Sequence, residues 1–209
     1  MTDKPTNIIK KNRYHHGDLR TSLLTAATKM VSEAGIESLS LRKLAEHVGV
    51  SRTAAYHHFN DKNDLLCSVA TQGFIQWQQE CESIFTKNDI SDVNKYRRFV
   101  NGYIRFAINN PSLYELMFGR VIWKDNKSTQ TLRSVAYPSF NYQVKMTKLW
   151  QEKGLMPPGE NTLRLAQVTW GTLHGLARLI IDGIYGDAEH IDDMCECIVN
   201  IFMAHQKNQ

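Results

Sequence analysis

The sequence predicts an all-α protein, with an N-terminal three-helix helix-turn-helix domain ahead of a larger helical ligand-binding and dimerisation domain. Three observations carry that prediction. Apolar residues recur at helical spacing along the 209-residue chain, and no segment after residue 62 sustains the period-two alternation of a half-buried strand. In the first third, the periodic stretches open on Asp or Ser and close on Gly, the polarity of helix start and stop signals. Near the C-terminus, Leu163, Ala166, Trp170, Leu173, Ala177, Ile180 and Ile184 follow one another at steps of three and four residues, the seam of a packed helix.

The N-terminal elements follow in order. Leu19, Leu23, Ala26/Ala27 and Met30 predict a helix over 18–34, with Asp18 near its N-cap and Gly35 at its end. Ser40 caps a short second helix whose apolar face is Leu41, Leu44, Ala45 and Val48, and Gly49 stops it. Ser51 then caps a third helix over 52–59, and Asp61 with Asp64 three residues on starts a fourth. Helix 41–48, a tight turn at Gly49 and helix 52–59 make a helix-turn-helix, whose second helix enters the DNA major groove. The side chains suit that role. Arg52 can pair bidentately with a guanine edge, Thr53 can bond bases or phosphate, and Ala54 can touch a thymine methyl. Tyr56, His57 and His58 present rings and donors where the helix meets the backbone, and Lys62 is placed for a phosphate.

The stretch from Leu39 to Leu66, LSLRKLAEHVGVSRTAAYHHFNDKNDLL, resembles the TetR family of transcriptional regulators. It shares the family's helix, Gly-Val-Ser turn, short helix ending in Tyr-x-His-Phe, and Lys opening the next helix. The resemblance implies that Arg42, Arg52, Thr53 and Tyr56 face the groove and that Ser40, His58 and Lys62 contact phosphates. Ala55 departs from the pattern, since the family often carries a larger apolar residue there. The run Tyr14-His15-His16, ahead of the first helix, repeats the Tyr56-His57-His58 triplet. Neither is read as a metal site, because adjacent residues on a helix point about 100° apart. Lys10, Lys11 and Arg13 make residues 1–17 a basic arm that either lies along phosphates, reaches into a minor groove, or stays a solvated tail.

Beyond residue 66, helices are expected near 63–86, 92–109, 112–122, 127–153, 160–184 and 189–206, with Pro138 kinking or splitting the fourth of these. Domain boundaries follow at 17/18 and 66/67. The last two helices, joined by a short turn at Gly186-Asp187, are expected to pair antiparallel through the 163–184 seam and through Ile191, Met194, Ile198 and Ile201. Two such pairs from two chains would form a four-helix dimer interface, which also supplies the two symmetric readers that a helix-turn-helix needs. Gly171 and Gly175 permit close helix crossing there; the charged residues of the same helix exclude a membrane span. Trp170-Gly-Thr-Leu-His-Gly175 resembles the "WHG" C-terminal domain found in part of the TetR family. The middle helices are rich in aromatics, which fill the core or line an effector cavity; Tyr103, Phe106, Trp123, Phe140, Trp170 and, as a polar group, His174 are the candidates for such a cavity.

Charge points the same way. The first 60 residues hold nine Lys/Arg against five Asp/Glu and five of the eight histidines, while the remainder balances at sixteen of each sign. A basic end on a neutral chain implies a polyanion partner, double-stranded DNA first. The four cysteines lack paired metal-ligand spacing and read as buried or half-buried residues of a reducing compartment. There is no Gly-rich phosphate loop, H-E-x-x-H or G-x-S-x-G motif, so no enzymatic activity, cofactor or metal is expected. The expected protein is cytoplasmic: a homodimeric repressor on a palindromic operator, released by an apolar or aromatic small-molecule effector. The alternative is the same DNA-binding dimer acting without a ligand or under a partner's control.

Overall fold

The computed structural model describes residues 19–185 and 190–203. Ten α-helices account for most of them: α1 (Leu19–Ala34), α2 (Leu41–Val48), α3 (Arg52–Tyr56), α4 (Lys62–Phe85), α5 (Asp92–Asn109), α6 (Pro111–Phe118), α7 (Arg120–Trp123), α8 (Gln130–Glu152), α9 (Thr162–Ile181) and α10 (Ile191–Phe202). Two 3₁₀ turns, Ile36–Ser38 and Lys124–Asn126, complete the order, and no strand occurs among the described residues. The basic arm, Asp18, the Gly186-Asp187 turn and the chain after Met203 lie outside the described residues.

Polar caps set the helix starts. The side chains of Ser40, Ser51 and Asp61 accept from the backbone N–H groups of Lys43, Ala54 and Asp64, each satisfying a donor left orphaned in the first turn. At the other end of α2, Gly49 takes φ +76° and the Val50 N–H returns to the Ala45 carbonyl at 2.9 Å, a left-handed stop open to glycine at little strain. The helix-turn-helix turn therefore has both of its edges pinned.

Two expected boundaries and one expected pairing change. The third helix ends at Tyr56 rather than at residue 59, because Phe59 turns back to be buried in the core. The expected 112–122 helix splits at Gly119, which is extended (ψ 172°) and packs so closely on Glu115 that a Cβ there would collide with its carbonyl oxygen. Of the kink or split expected at Pro138, the split does not occur: α8 runs on through it, and both Pro138 and Ser134, whose carbonyl it frees, are exposed to solvent. The expected pairing of α9 with α10 is the one that fails. Helix α9 packs on α5 and α8 and α10 packs on α5, and the two scarcely touch each other. Ile191, Cys195 and Ile198 bury against that face, and two ion pairs clip α10 to α5, Arg97–Glu196 at 2.7 Å and Arg105–Asp192 at 2.7 Å.

One apolar core runs from Leu23 in α1 to Met203 after α10. Helix α4 is its spine, touching α1 at one end and α5, α6 and α8 along its length. The expected boundary between residues 66 and 67 falls inside this helix, which the two parts of the chain share. No helix among the described residues is long and apolar enough to cross a membrane.

Candidate nucleic-acid interface and helical-domain cavity

Helix α3 has two faces of opposite character. Ala55 and Phe59, on or just after it, are almost completely buried, whereas Arg52, Thr53 and His57 are exposed and Tyr56 keeps 55% of its surface open. Ala54 and His58 are half-buried on the same side. The small Ala55 lets α3 sit close on the core, and the guanidinium of Arg20 covers the Phe59 ring from outside at 5.3 Å.

The flanks hold further donors. Arg42 and Lys43 are exposed on α2. Ser40 spends an oxygen lone pair on the Lys43 N–H at 3.2 Å, which leaves its own hydroxyl proton to donate. Asp61 and Asp64 tie the loop before α4: the Asp64 N–H donates to Asp61 at 2.8 Å, and Asp64 accepts from the Asn60 backbone and carboxamide at 3.0 and 3.1 Å. Lys62 is thereby held at the start of α4, where its ion partner among the described residues is the exposed Glu37 at 3.9 Å. Such a pair stabilises little and is easily exchanged for a phosphate. Of the nine residues expected to meet DNA, all within the 40–62 strip of sequence, Arg42, Arg52, Thr53, Tyr56 and His57 are exposed and Ser40, Ala54, His58 and Lys62 are half-buried; Lys43, next to Arg42, is exposed as well.

A second feature lies in the larger part of the chain. A cavity of about 400 Å³ opens between five helices. Phe74 and Trp77 come from α4, Met117 and Phe118 from α6, Trp123 from α7, Ala136, Tyr137, Ser139, Phe140 and Gln143 from α8, and Trp170 from α9. Of the expected cavity residues, Trp123, Phe140 and Trp170 are in its wall, while Tyr103, Phe106 and His174 stand behind it. Tyr103 and Phe106 are buried against Trp77, with ring centroids 5.3 and 5.6 Å away. The contributions of α4 and α6 were missed; the step of three from Phe74 to Trp77 on one helix face is the signal that α4 presents aromatics there.

His174 belongs to a hydrogen-bonded chain. The Trp170 indole donates to the Tyr103 hydroxyl at 2.9 Å, Tyr103 and Tyr114 share a bond of 2.8 Å, and Tyr114 meets His174 Nδ1 at 2.6 Å. Only one proton order uses every donor: Tyr103 gives to Tyr114, and Tyr114 gives to an unprotonated Nδ1. Burial and the Arg178 guanidinium both push the His174 pKa below its ordinary 6.5, against the weaker pull of Glu115, which agrees with a neutral ring. Burial raises the Tyr103 and Tyr114 hydroxyls well above the usual tyrosine range, so both keep their protons.

Cys67, Cys81 and Cys195 are buried free thiols and Cys197 is exposed. Burial raises the first three out of the nucleophilic range, Cys195 to about 11.

Residues 23–69 match the family described as bacterial regulatory proteins, tetR family, and residues 96–202 match the tetracyclin repressor-like C-terminal domain. The chain belongs to the TetR family. The HTH-type transcriptional regulator AcrR of Shigella flexneri is 35% identical over 172 residues, 80% of each chain. A solved structure of a protein with unknown function from Rhodococcus sp. RHA1 superposes with a TM-score of 0.79 at 27% identity, over 92% of this chain and 100% of that one. The TetR family regulator PfmR from Thermus thermophilus shares the fold, with a TM-score of 0.65 at 17% identity over 89% of this chain and 99% of that one. This TetR-family chain is accordingly a DNA-binding transcriptional regulator with an N-terminal helix-turn-helix. TetR-family regulators typically act as dimers, and most are repressors.

Proposed function

We propose that this TetR-family chain is a cytoplasmic, non-enzymatic homodimeric repressor, that it reads a palindromic operator through the strip over 40–62, and that an apolar or aromatic effector in the five-helix cavity releases it. The observation that carries the reading is α3 itself, capped by Ser51 and seated on buried Ala55 and Phe59 while Arg52, Thr53 and Tyr56 project outward. Arg52 is assigned a base edge, Thr53, Ala54 and Tyr56 the groove, and Ser40, His57, His58 and Lys62 the backbone.

Two further observations support the assembly and the control. The outer face of α9 carries Leu163, Val168 and the paired glycines Gly171 and Gly175, and a Cβ built on either glycine meets nothing among the described residues of its own chain. Val168 is 58% exposed, and Ile201 on α10 is 62% exposed. Both helices turn their other faces to α5, so these outer faces form the dimer seam without pairing inside one chain. Control follows from α4, which opens with Lys62 on the DNA side and carries Phe74 and Trp77 into the cavity wall. A ligand that prefers one placement of this helix changes the spacing of the two readers in the dimer.

The test is a pair of substitutions on an operator selected from random DNA. Arg52→Ala should cost about 1–3 kcal/mol and relax the preference at one position. Lys62→Ala should weaken all sequences alike and reduce the salt slope of binding by about one. Equal, sequence-independent losses from both would remove the assignment.

A further inference from the structure

The polar groups of the cavity wall are unequally spent. Trp170 gives its indole N–H to Tyr103 at 2.9 Å and Trp123 gives its own to the Met117 carbonyl at 2.6 Å. Ser139 donates to the Val135 carbonyl at 3.1 Å. The Gln143 amide nitrogen faces the Ala166 carbonyl at 3.4 Å and the Thr169 hydroxyl at 3.3 Å. That placement fixes the orientation of the carboxamide, since the Thr169 hydroxyl proton goes to the Ala166 carbonyl and both groups accept from Gln143. Gln143 Oε1 remains as an acceptor with no partner among the described residues.

The wall is therefore apolar and uncharged, with Gln143 Oε1 as its unpaired carbonyl acceptor. The Trp123, Trp170, amide and serine hydrogens are committed, the Trp77 indole N–H and the Tyr137 hydroxyl have no partner among the described residues, and among those residues no lysine, arginine or histidine lines the cavity. An anion entering would lose its hydration and find no cation there to replace it, only the neutral Trp77 and Tyr137 donors. A carboxylate, phosphate or acyl anion is thus disfavoured by the residues present. Flat apolar surface is favoured: Trp170 and Phe140 stand 5.3 Å apart by ring centroid on one side, and Trp123 and Tyr137 stand stacked at 6.4 Å. A volume of about 400 Å³ lies within the range of small-molecule pockets.

We infer that the cavity takes an uncharged, planar aromatic ligand that carries one hydroxyl or N–H donor, with Gln143 Oε1 accepting that hydrogen and the rings enclosing the rest. This rests on the reading of the cavity as an effector site and narrows it to a class: phenol-like or anilide-like aromatics bind, and their carboxylate counterparts do not. Gln143 is the residue that sets the distinction.

The test uses the full chain and four probes of one shape: 2-naphthol, 2-methoxynaphthalene, 2-naphthoate and the 2-naphthyltrimethylammonium cation. Binding is read by calorimetry without DNA, and release is read separately on the operator complex. The account expects 2-naphthol to bind about tenfold more tightly than 2-methoxynaphthalene, the worth of one neutral hydrogen bond at a buried acceptor, and expects no saturable binding of 2-naphthoate. In Gln143→Leu the tenfold preference should vanish while 2-methoxynaphthalene binds as before. Because Gln143 also bonds α9, Gln143→Glu is the companion variant: it keeps the acceptor and should retain the donor preference. Tightest binding by 2-naphthoate or by the cation overturns the inference, as do equal binding of alcohol and ether and the absence of 2-naphthol binding up to its solubility. Specific 2-naphthol binding without operator release would leave this ligand class standing and remove the effector reading. Release by an anionic ligand seated in the cavity would do the reverse.

Discussion

Replacing Gly171 and Gly175 together by alanine separates a solvent-facing α9 from an interface-forming one, because the two cases predict changes of opposite sign. Within one chain neither new Cβ meets a described atom inside 4 Å, so packing exacts nothing. Each mid-helix Gly→Ala exchange gains about 1 kcal/mol of helix propensity, or about 2 kcal/mol for the pair. For a chain of this size that would raise Tm by about 4–8 °C. If the glycines let two α9 helices cross closely, the two-fold axis brings four added methyls into the seam. Overpacking of that kind costs about 1–3 kcal/mol, which raises the dimer Kd roughly five- to a hundredfold. Sedimentation equilibrium across protomer concentration reads the Kd, and thermal unfolding at the highest and lowest concentrations reads the stability of dimer and monomer. The account predicts a weaker dimer built from a more stable protomer. An unchanged Kd together with a higher Tm would show that this face is solvated and would refute the proposed seam.

Three other outcomes follow from individual contacts. Ser51→Ala removes the cap at 3.1 Å from the Ala54 N–H; it should cost about 1 kcal/mol, and hydrogen exchange should show the loss concentrated in the five-residue α3 rather than spread over the fold. Gly73→Ala places a Cβ 2.5 Å from the Met117 sulfur and 3.1 Å from a Leu113 methyl, in a buried setting; it should destabilise by about 1–3 kcal/mol in denaturant titration. The third concerns pH. His174 has a folded pKa below its ordinary 6.5, so the unfolded chain binds the proton more readily. The stability it contributes is complete above that ordinary value and is lost as pH falls below it and through the folded pKa. Denaturation midpoints measured from pH ~8 down to ~5 should fall less steeply in His174→Gln than in the parent, and equal slopes would refute the neutral-ring assignment.

The helix-turn-helix was legible because its signals are local. Ser40, Gly49, Ser51 and Asp61 act on backbone groups within a few residues, and each is found in the role its sequence position implies. The three residues cut from the end of α3 were not legible in that way, since the turn there depends on where Phe59 is buried. The spacing of Ile191 and Ile198 showed that they share a face but not which helix that face meets. The answer, α5, depends on Arg97 and Arg105, which lie about ninety residues away in sequence, meeting Glu196 and Asp192. The cavity shows the same limit. Trp123, Phe140 and Trp170 could be named from composition and helical position, but Tyr103 and Phe106 are equally aromatic and only the tertiary arrangement sets them behind Trp77. Gln143 had no distinguishing sequence pattern. Its importance comes from its unpaired carbonyl oxygen in a wall that holds no cation.

Selection of binding sites from random DNA by the purified chain, followed by footprinting of the winning sequence, tests the central claim most directly. The account predicts a two-fold symmetric site with two half-sites about one helical turn, or a multiple of it, apart, occupied by two protomers and losing its preferred base when Arg52 becomes alanine. Enrichment of no sequence, or of an asymmetric site held by a single protomer and indifferent to Arg52, would contradict it.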